Sequence, residues 1–285
     1  MPFVTTNVML SSARKNSYAV AAFNCENMEM ILAVIAAGEE LKAPVIIQTT
    51  PSTVRYASVE IFAANVITAA KGAAVPVALH LDHGNSHGLV KEALEAGYSS
   101  IMIDGSALAL EENITFTRKA VELCLKAGIP VEGELGHVGG KEDDTVGNGC
   151  GYTDPKEAER FVKETAVSSL AIGVGTAHGI YVKKPILNPE LISVLRDKLE
   201  VPLVLHGSSG LDDDVIYDCI TRGISKVNIA TDLRITYTQA VRGYLQNDSD
   251  NFDPKKYGEV AREAVKKLAM NRMMVCGCNG RAAGV

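Results

Sequence analysis

Residues 201–231, VPLVLHGSSGLDDDVIYDCITRGISKVNIAT, decide the architecture. A short apolar run, 201–206 (VPLVLH), ends in a Gly/Ser loop. A helix follows, closed by Gly223 where a left-handed C-terminal residue is wanted, and a second run, 225–230 (SKVNIA), comes next. Near-continuous apolar runs of this length are how parallel strands buried on both faces read. Working outward, six further runs precede this pair: 18–23 (YAVAAF), 44–49 (PVIIQT), 76–81 (PVALHL), 99–103 (SSIMI), 129–134 (IPVEGE) and 169–175 (SLAIGVG).

Helix signals fill the gaps. Ser58 and Ser86 stand where caps are needed for helices ending at Gly72 and Gly97, and Gly128 is placed as a C-terminal residue. Asp154-Pro155 and Asn188-Pro189 each put a capping side chain before a proline at the first helical position. In the helix from Met28 to Lys42, positions 28, 31, 34 and 35 are expected to face the core. Eight strand-then-helix units predict an α/β (β/α)8 TIM barrel, with residues 1–285 forming one catalytic domain. A doubly wound open sheet would carry a Gly-rich turn after its first strand, whereas this strand runs into Phe23-Asn24-Cys25-Glu26. Two more helices are expected at 232–246 and 254–274, the second an addition to the barrel.

Composition narrows the function. A net charge of -6 argues against nucleic acid or an anionic membrane as partner, so an anionic ligand must be met by a local site. The six cysteines form no CxxC pair and read as reduced thiols. The N-terminal MPFVTTNVMLSSARK holds no long apolar segment, and no run approaches the roughly 18 apolar residues of a membrane span. A soluble, cytoplasmic protein is the expectation.

In such a barrel, chemistry gathers where strands end. His83, His178 and His206 follow the third, sixth and seventh strands and would surround one mouth. Three neutral imidazoles leave a fourth position open, the pattern of a catalytic zinc site. Glu134, after the fifth strand, is read as a further ligand or a partner for one imidazole. His80 reads as structural, His87 as exposed, and His137 as outside the ligand set. Gly207-Ser208-Ser209-Gly210 and Asn228-Ile229-Ala230-Thr231 occupy the loops after strands seven and eight, the usual phosphate site of this fold. Asn24 and Thr50, closing strands one and two, join the substrate-facing set. Asp82 adjoins a ligand and can reach a bound substrate, while the glycine-rich loop 139–151 carries Glu142, Asp143 and Asp144 as candidate proton carriers. Lys226 reads as lying at the strand entrance, the wrong side for a Schiff base, so carbonyl chemistry would rest on a metal. The set suits proton abstraction beside a carbonyl and carbon–carbon cleavage of a phosphorylated sugar equally.

HLDHG at 80–84, GELGHVGG at 133–140, GTAHG at 175–179, VLHGSSG at 204–210 and KVNIATDL at 226–233 together resemble the class II, metal-dependent ketose-bisphosphate aldolases. The likeness runs from YAVAAFN to the C-terminal VCGCNGR. It implies Zn2+ on His83, His178 and His206, with Glu134 an alternative ligand. It implies reversible cleavage of a ketose 1,6-bisphosphate to dihydroxyacetone phosphate and glyceraldehyde 3-phosphate through a zinc-stabilised enediolate. Asp82 would handle the proton of the hydroxyl at the breaking bond, and Glu142 the proton on the enediolate carbon. Gly179, Gly207, Ser209 and Asn228 to Thr231 match the phosphate-binding set, beside which a monovalent cation (Na+ or K+) often sits. NIATDL and GTAHGIY look more like tagatose-1,6-bisphosphate aldolases, with fructose 1,6-bisphosphate the alternative substrate. Further alternatives are a sugar-phosphate epimerase and a non-catalytic barrel subunit that stabilises a partner aldolase. A homodimer or homotetramer is expected. Family members often take an arginine from a neighbouring subunit, for which Arg272 and Arg281 are candidates. GCNG at 277–280 departs from the more usual GSAN.

Overall fold

The computed structural model describes residues 3–142, 145–147, 151–179, 181 and 185–285. Eight parallel strands close into a barrel: β1 (Val20–Asn24), β2 (Val45–Thr49), β3 (Val77–Gly84), β4 (Ser100–Ile103), β5 (Val131–Leu135), β8 (Ser169–Ile172), β10 (Leu203–Leu205) and β11 (Ile224–Ile229). Three short strands, β6 (Gly139–Glu142), β7 (Thr145–Gly147) and β9 (Ala177–His178), make a separate sheet beside it. All eight predicted runs are barrel strands, each with a helix after it.

Alternation along the strands explains why the barrel tolerates polar residues inside. One face of each strand packs the large apolar core between sheet and helices, built from residues such as Phe23, Ile47, Leu79, Leu81, Ile101 and Phe161. The other face points inward. There Met102, Ala171 and Val204 form a small apolar cluster of their own. Around them His80, Ser100, Glu132, Ser169 and Lys226 meet in one hydrogen-bonded network. Asn24, Gln48, Asp82 and Asn228 meet in another, while His206 bonds Glu132 of the first.

The predicted caps are in place: Ser58, Ser86, Asp154 and Asn188 each accept from a first-turn amide. Some elements differ from expectation. Helix Thr6–Lys15 was not anticipated; it crosses the barrel floor, where Thr6 bonds Ser100 at 2.7 Å and Arg14 donates to the carbonyls of Leu199 and Val201. Its apolar residues are interrupted by Asn7, Ser11, Ser12 and Arg14, so the sequence pattern is weak. Helix Pro51–Ala57 intervenes before Ser58, with Thr50 as its cap. Met28 begins its helix half exposed instead of facing the core, while Ile31, Val34 and Ile35 are buried. The stretch 169–175 ends as a strand at Ile172. A side chain on Gly175 would sit 2.0 Å from the Ile186 carbonyl, so the chain leaves the sheet there. The glycine-rich loop folds as the β6–β7 hairpin, not as an irregular loop. Helices Thr231–Asn247 and Pro254–Val275 follow the barrel, the latter packing against the former and against Met28–Leu41.

Candidate active site

The geometry of β3 places two adjacent residues on one side of the barrel wall. Neighbours on a regular strand point to opposite faces. Here the register slips between Leu81 and Gly84, which pair with Ile101 and Ile103, so one extra residue is accommodated. His83 takes a left-handed backbone (φ 49), which re-aims its imidazole into the mouth beside Asp82. Gly84 is required because a Cβ there would lie 2.5 Å from the Met102 carbonyl.

His83, His178 and His206 converge: one ring nitrogen of each lies within 4.8 Å of the others. His206 Nδ1 is 3.0 Å from His83 Nε2. The other nitrogen of each ring is held by a carboxylate: His83 Nδ1 by Asp104 at 2.8 Å, and His206 Nε2 by Glu132 at 3.0 Å. Both outer nitrogens therefore carry the proton and both inner ones present lone pairs. Two lone pairs at this separation repel unless a cation lies between them, so the donor set fits a divalent metal. Burial lowers the His206 pKa, against the opposing pull of Glu132, and keeps the ring in the neutral form a ligand needs. Asp104, which burial alone would push up, is held well below the ordinary carboxylate range by its hydrogen bonds with His83 and Ser106.

His178 reaches this cluster differently from expectation. It stands on β9, outside the barrel strands, and pairs with β6 at Gly140. Gly140 has φ 91, and a Cβ on it would lie 2.3 Å from the His178 carbonyl. Only glycine lets the hairpin lie this close to His178. Glu142 ends the same strand opposite Thr145, and its side chain lies outside the described residues, as do Asp143 and Asp144. Glu134 is buried, with one carboxylate oxygen 3.5 Å from His206 Nδ1. It also groups with His83 and Asp104 as a second set of convergent donors.

Asp82 is fully buried and held from both sides: Asn24 Nδ2 donates to one oxygen at 2.7 Å and Asn228 Nδ2 to the other at 3.1 Å. Gln48 braces Asn24 in turn at 2.8 Å. Asn24 thus positions the carboxylate; the sequence pointed to it as a substrate residue, and Gln48 was missed. Beneath the mouth, Lys226 lies fully inside the barrel, not at its entrance, with its ammonium 2.8 Å from Glu132. Burial, and then the adjacent Lys226 charge, lowers the His80 pKa well below the usual value. Neutral His80 bonds Ser100 through Nδ1 at 2.7 Å, consistent with its structural reading.

A cavity opens next to the imidazoles, lined by His178, Gly179, Gly207, Ser208, Ser209, Asn228, Ala230, Thr231 and Arg234. The predicted substrate- and anion-binding residues are brought together here, except Asn24, Thr50, Gly210 and Ile229. The Ile229 side chain belongs to the core, leaving its backbone alone near the site. Thr50 spends its hydroxyl on Thr53 and Ser52 at the head of helix Pro51–Ala57. Gly207 needs its positive φ of 65, since a Cβ would lie 2.6 Å from the Ala177 carbonyl. Tyr181, missed in the sequence, ties the two loops: its hydroxyl accepts from the Ala177 amide and donates to the Gly207 carbonyl at 2.6 Å. Arg234 was also missed, because it lies a helical turn beyond the motif. His87 is half-buried, not exposed, and stacks on Phe116. His137 bridges to Gly151 at the hairpin base. Arg272 bonds Asp213 at 2.6 Å, and Arg281 lies over the Tyr18 ring at 5.2 Å.

The fold and the donor set define a (β/α)8 barrel enzyme with a candidate metal centre and an anion cavity at one mouth. Residues 4–281 match the family described as fructose-bisphosphate aldolase class-II. The fructose-bisphosphate aldolase of Geobacillus stearothermophilus is 40% identical over 289 residues, covering 99% of this chain and 100% of that protein. The crystal structure of the YdjI aldolase from Escherichia coli K12 shares 38% identity and superposes with a TM-score of 0.88, covering 98% of this chain and 99% of that one. Fructose-bisphosphate aldolase from Campylobacter jejuni, at 23% identity, shares the fold with a TM-score of 0.83 over 97% of this chain and 96% of its own. The chain belongs to the class II fructose-bisphosphate aldolase family, and is a class II ketose-bisphosphate aldolase, a lyase of a typically metal-dependent kind.

Proposed function

We propose that this enzyme, acting as one catalytic domain, reversibly cleaves tagatose 1,6-bisphosphate into dihydroxyacetone phosphate and glyceraldehyde 3-phosphate. The observation that carries the reading is the convergence of three imidazole nitrogens beside a braced buried carboxylate and an anion cavity. Zinc, held by His83, His178 and His206 with Glu134 as part-time ligand, would polarise the substrate carbonyl and spread the charge left by cleavage.

The chain's own groups do the rest. The phosphate seats against Gly179, Gly207, Ser208, Ser209 and the start of helix Thr231–Asn247, where amide donors converge. Asp82 accepts the proton of the hydroxyl at the breaking bond, and Asn24 and Asn228 hold both its oxygens in place for that transfer. The carbon–carbon bond then breaks, releasing the aldehyde, and Glu142 delivers a proton to the triose carbon. A monovalent cation (Na+ or K+) beside the phosphate belongs to the same proposal. Lys226 takes no part in carbonyl chemistry because its ammonium is ion-paired with Glu132 inside the barrel.

The tagatose reading over fructose is supported by the resemblance of NIATDL to tagatose-1,6-bisphosphate aldolases, and the Ala230 of this stretch is a small residue lining the cavity. The Geobacillus stearothermophilus relative is a fructose-bisphosphate aldolase, so fructose 1,6-bisphosphate is the second substrate to test. The test measures triose phosphate released from each bisphosphate, with metal and after EDTA. No release with metal sinks the aldolase reading, and release undiminished by EDTA removes the metal from it.

A homodimer or homotetramer is supported by helix Thr231–Asn247, in which Leu233 is the one fully buried residue. Its Tyr237, Val241 and Leu245, at helical spacing, line an open apolar groove. Light scattering of the eluted protein decides the state. A cytoplasmic location is supported by the buried, unpaired thiols of Cys25, Cys124, Cys219, Cys276 and Cys278.

A further inference from the structure

Below the imidazoles, the barrel interior holds a chain of hydrogen bonds for which the carbonyl chemistry has no use. It starts on the floor helix, where Thr6 Oγ1 meets Ser100 Oγ at 2.7 Å. Ser100 Oγ meets His80 Nδ1 at 2.7 Å, and His80 Nε2 lies 3.4 Å from the Lys226 ammonium. Lys226 donates to Glu132 Oε2 at 2.8 Å, and Glu132 Oε1 is 3.0 Å from His206 Nε2. None of these side chains is more than 3% exposed. They stand on helix Thr6–Lys15, β4, β3, β11, β5 and β10, so the chain crosses the barrel from floor to mouth.

Its direction is fixed by chemistry. An ammonium only donates and an ionised carboxylate only accepts. His80 Nε2 therefore accepts from Lys226, and its Nδ1 carries the proton and donates to Ser100, whose own hydroxyl hydrogen is left for Thr6. Burial, and next the Lys226 charge, keep His80 in the neutral form that this pattern requires. At the other end Glu132 accepts from His206, so the His206 proton stands on Nε2 and the Nδ1 lone pair faces His83. A buried ion pair gives little net stability compared with apolar packing of the same volume. What apolar packing could not do is hold one imidazole in one tautomer and one orientation.

We propose that His80 is a positioning residue for the metal ligand His206, acting through Lys226 and Glu132, and that Thr6, through Ser100, anchors it to the floor helix. This rests on the metal-site reading and extends it to residues that touch neither metal nor substrate. Removing the acceptor at His80 leaves a Lys226 proton without a partner in a dry interior. The ammonium then moves toward its remaining acceptors, Glu132 moves with it, and the His206 ring turns away from the point where the three imidazoles converge.

The test measures Zn2+ affinity by chelator competition, the visible absorption of the Co2+-loaded protein, and the melting point of the metal-free protein. Partners that orient a metal-bound imidazole are worth about 10–100-fold in metal affinity, and His80 acts from one partner further away. His80→Leu is expected to weaken Zn2+ binding by about tenfold and to shift the Co2+ bands. His80→Gln, whose amide oxygen still accepts from Lys226, should restore most of the affinity. His80→Asn, too short to reach Lys226, should behave like His80→Leu and serves in its place if the leucine does not fold. Thr6→Val, which keeps the shape without the hydroxyl, should weaken binding by about threefold, as for a neutral hydrogen bond. Arg14→Ala is the control on the same helix: it donates to the carbonyls of Val201 and Leu199, outside the chain. It should lower the melting point and leave Zn2+ affinity and Co2+ bands unchanged. Zn2+ affinity within about twofold of wild type in His80→Leu or His80→Asn overturns the positioning role. Equal losses in His80→Leu and His80→Gln overturn the acceptor, and equal losses in Thr6→Val and Arg14→Ala overturn the anchor. Wild-type protein that binds no Zn2+ would refute the metal reading itself, whereas bound Zn2+ indifferent to His80 refutes this inference alone.

Discussion

Replacing Lys226 by methionine tests whether the charge network under the mouth supports both the fold and the ligand set. Lys226 and Glu132 are 0% and 1% exposed, and their charged atoms are 2.8 Å apart. At an effective dielectric of about 20, that separation corresponds to about 6 kcal/mol of gross attraction. The methionine strands the carboxylate, and breaking a buried pair from one side costs about 3–5 kcal/mol. Against a total stability of about 5–15 kcal/mol, the loss is large. The stranded charge has His206 as its nearest titratable neighbour, Nε2 3.0 Å from Glu132, with His80 Nε2 3.9 Å away. His206 is expected to shift toward its protonated form and lose the Nδ1 lone pair that faces His83. Metal affinity should therefore fall although Lys226 touches no ligand. The assay is thermal unfolding of the metal-free protein by circular dichroism, with chelator competition for metal affinity. At about 2–4 °C per kcal/mol, the midpoint should drop by at least about 6 °C. In Lys226→Met/Glu132→Met both charges are gone, and a coupling of about 2 kcal/mol should return much of the lost stability. Metal affinity should stay low there, because His206 has lost its anchor. A single variant melting within about 1 °C of wild type, or strictly additive losses in the double variant, would refute the reasoning.

Acid unfolding reports the same network by another route. Burial favours the neutral Glu132 carboxyl, but Lys226 and then His206 hold its pKa well below the usual range. A depressed folded pKa contributes stability that is fully present above the unfolded value of about 4.3 and declines as pH falls below it. Glu132→Gln should accordingly reduce the acid-side slope by up to about 1.4 kcal/mol per pH unit, and an unchanged slope would contradict the pairing. His206→Ala should lose bound metal as measured by elemental analysis; full metal content would show that the ligand set is wrong. Asp82→Asn should keep fold and metal but lower kcat by about 10²–10⁴-fold, the range for losing a proton carrier. A fall of less than tenfold would take Asp82 out of that role.

The barrel was legible because each strand must bury its outer face against a helix, and that demand is written locally as apolar runs bounded by caps. The floor helix Thr6–Lys15 was not, since its few buried positions, Met9, Leu10 and Ala13, are diluted by polar neighbours. The convergence of His83, His178 and His206 was legible because imidazoles are chemically distinctive and these sit near strand ends.

What the sequence determined by itself was the order of the eight barrel strands, the strand ends at which the polar residues gather, and the family. What only the tertiary structure decided was which of two neighbouring polar residues acts and which supports. The bulge at Asp82-His83, the β6–β9 pairing under His178 and the burial of Lys226 arise from contacts between segments far apart in the chain. Local pattern carries no record of such contacts. Arg234 is the clearest case: in the sequence it is one cation on a helix, and its ion-pair partner Glu26 lies 208 positions away.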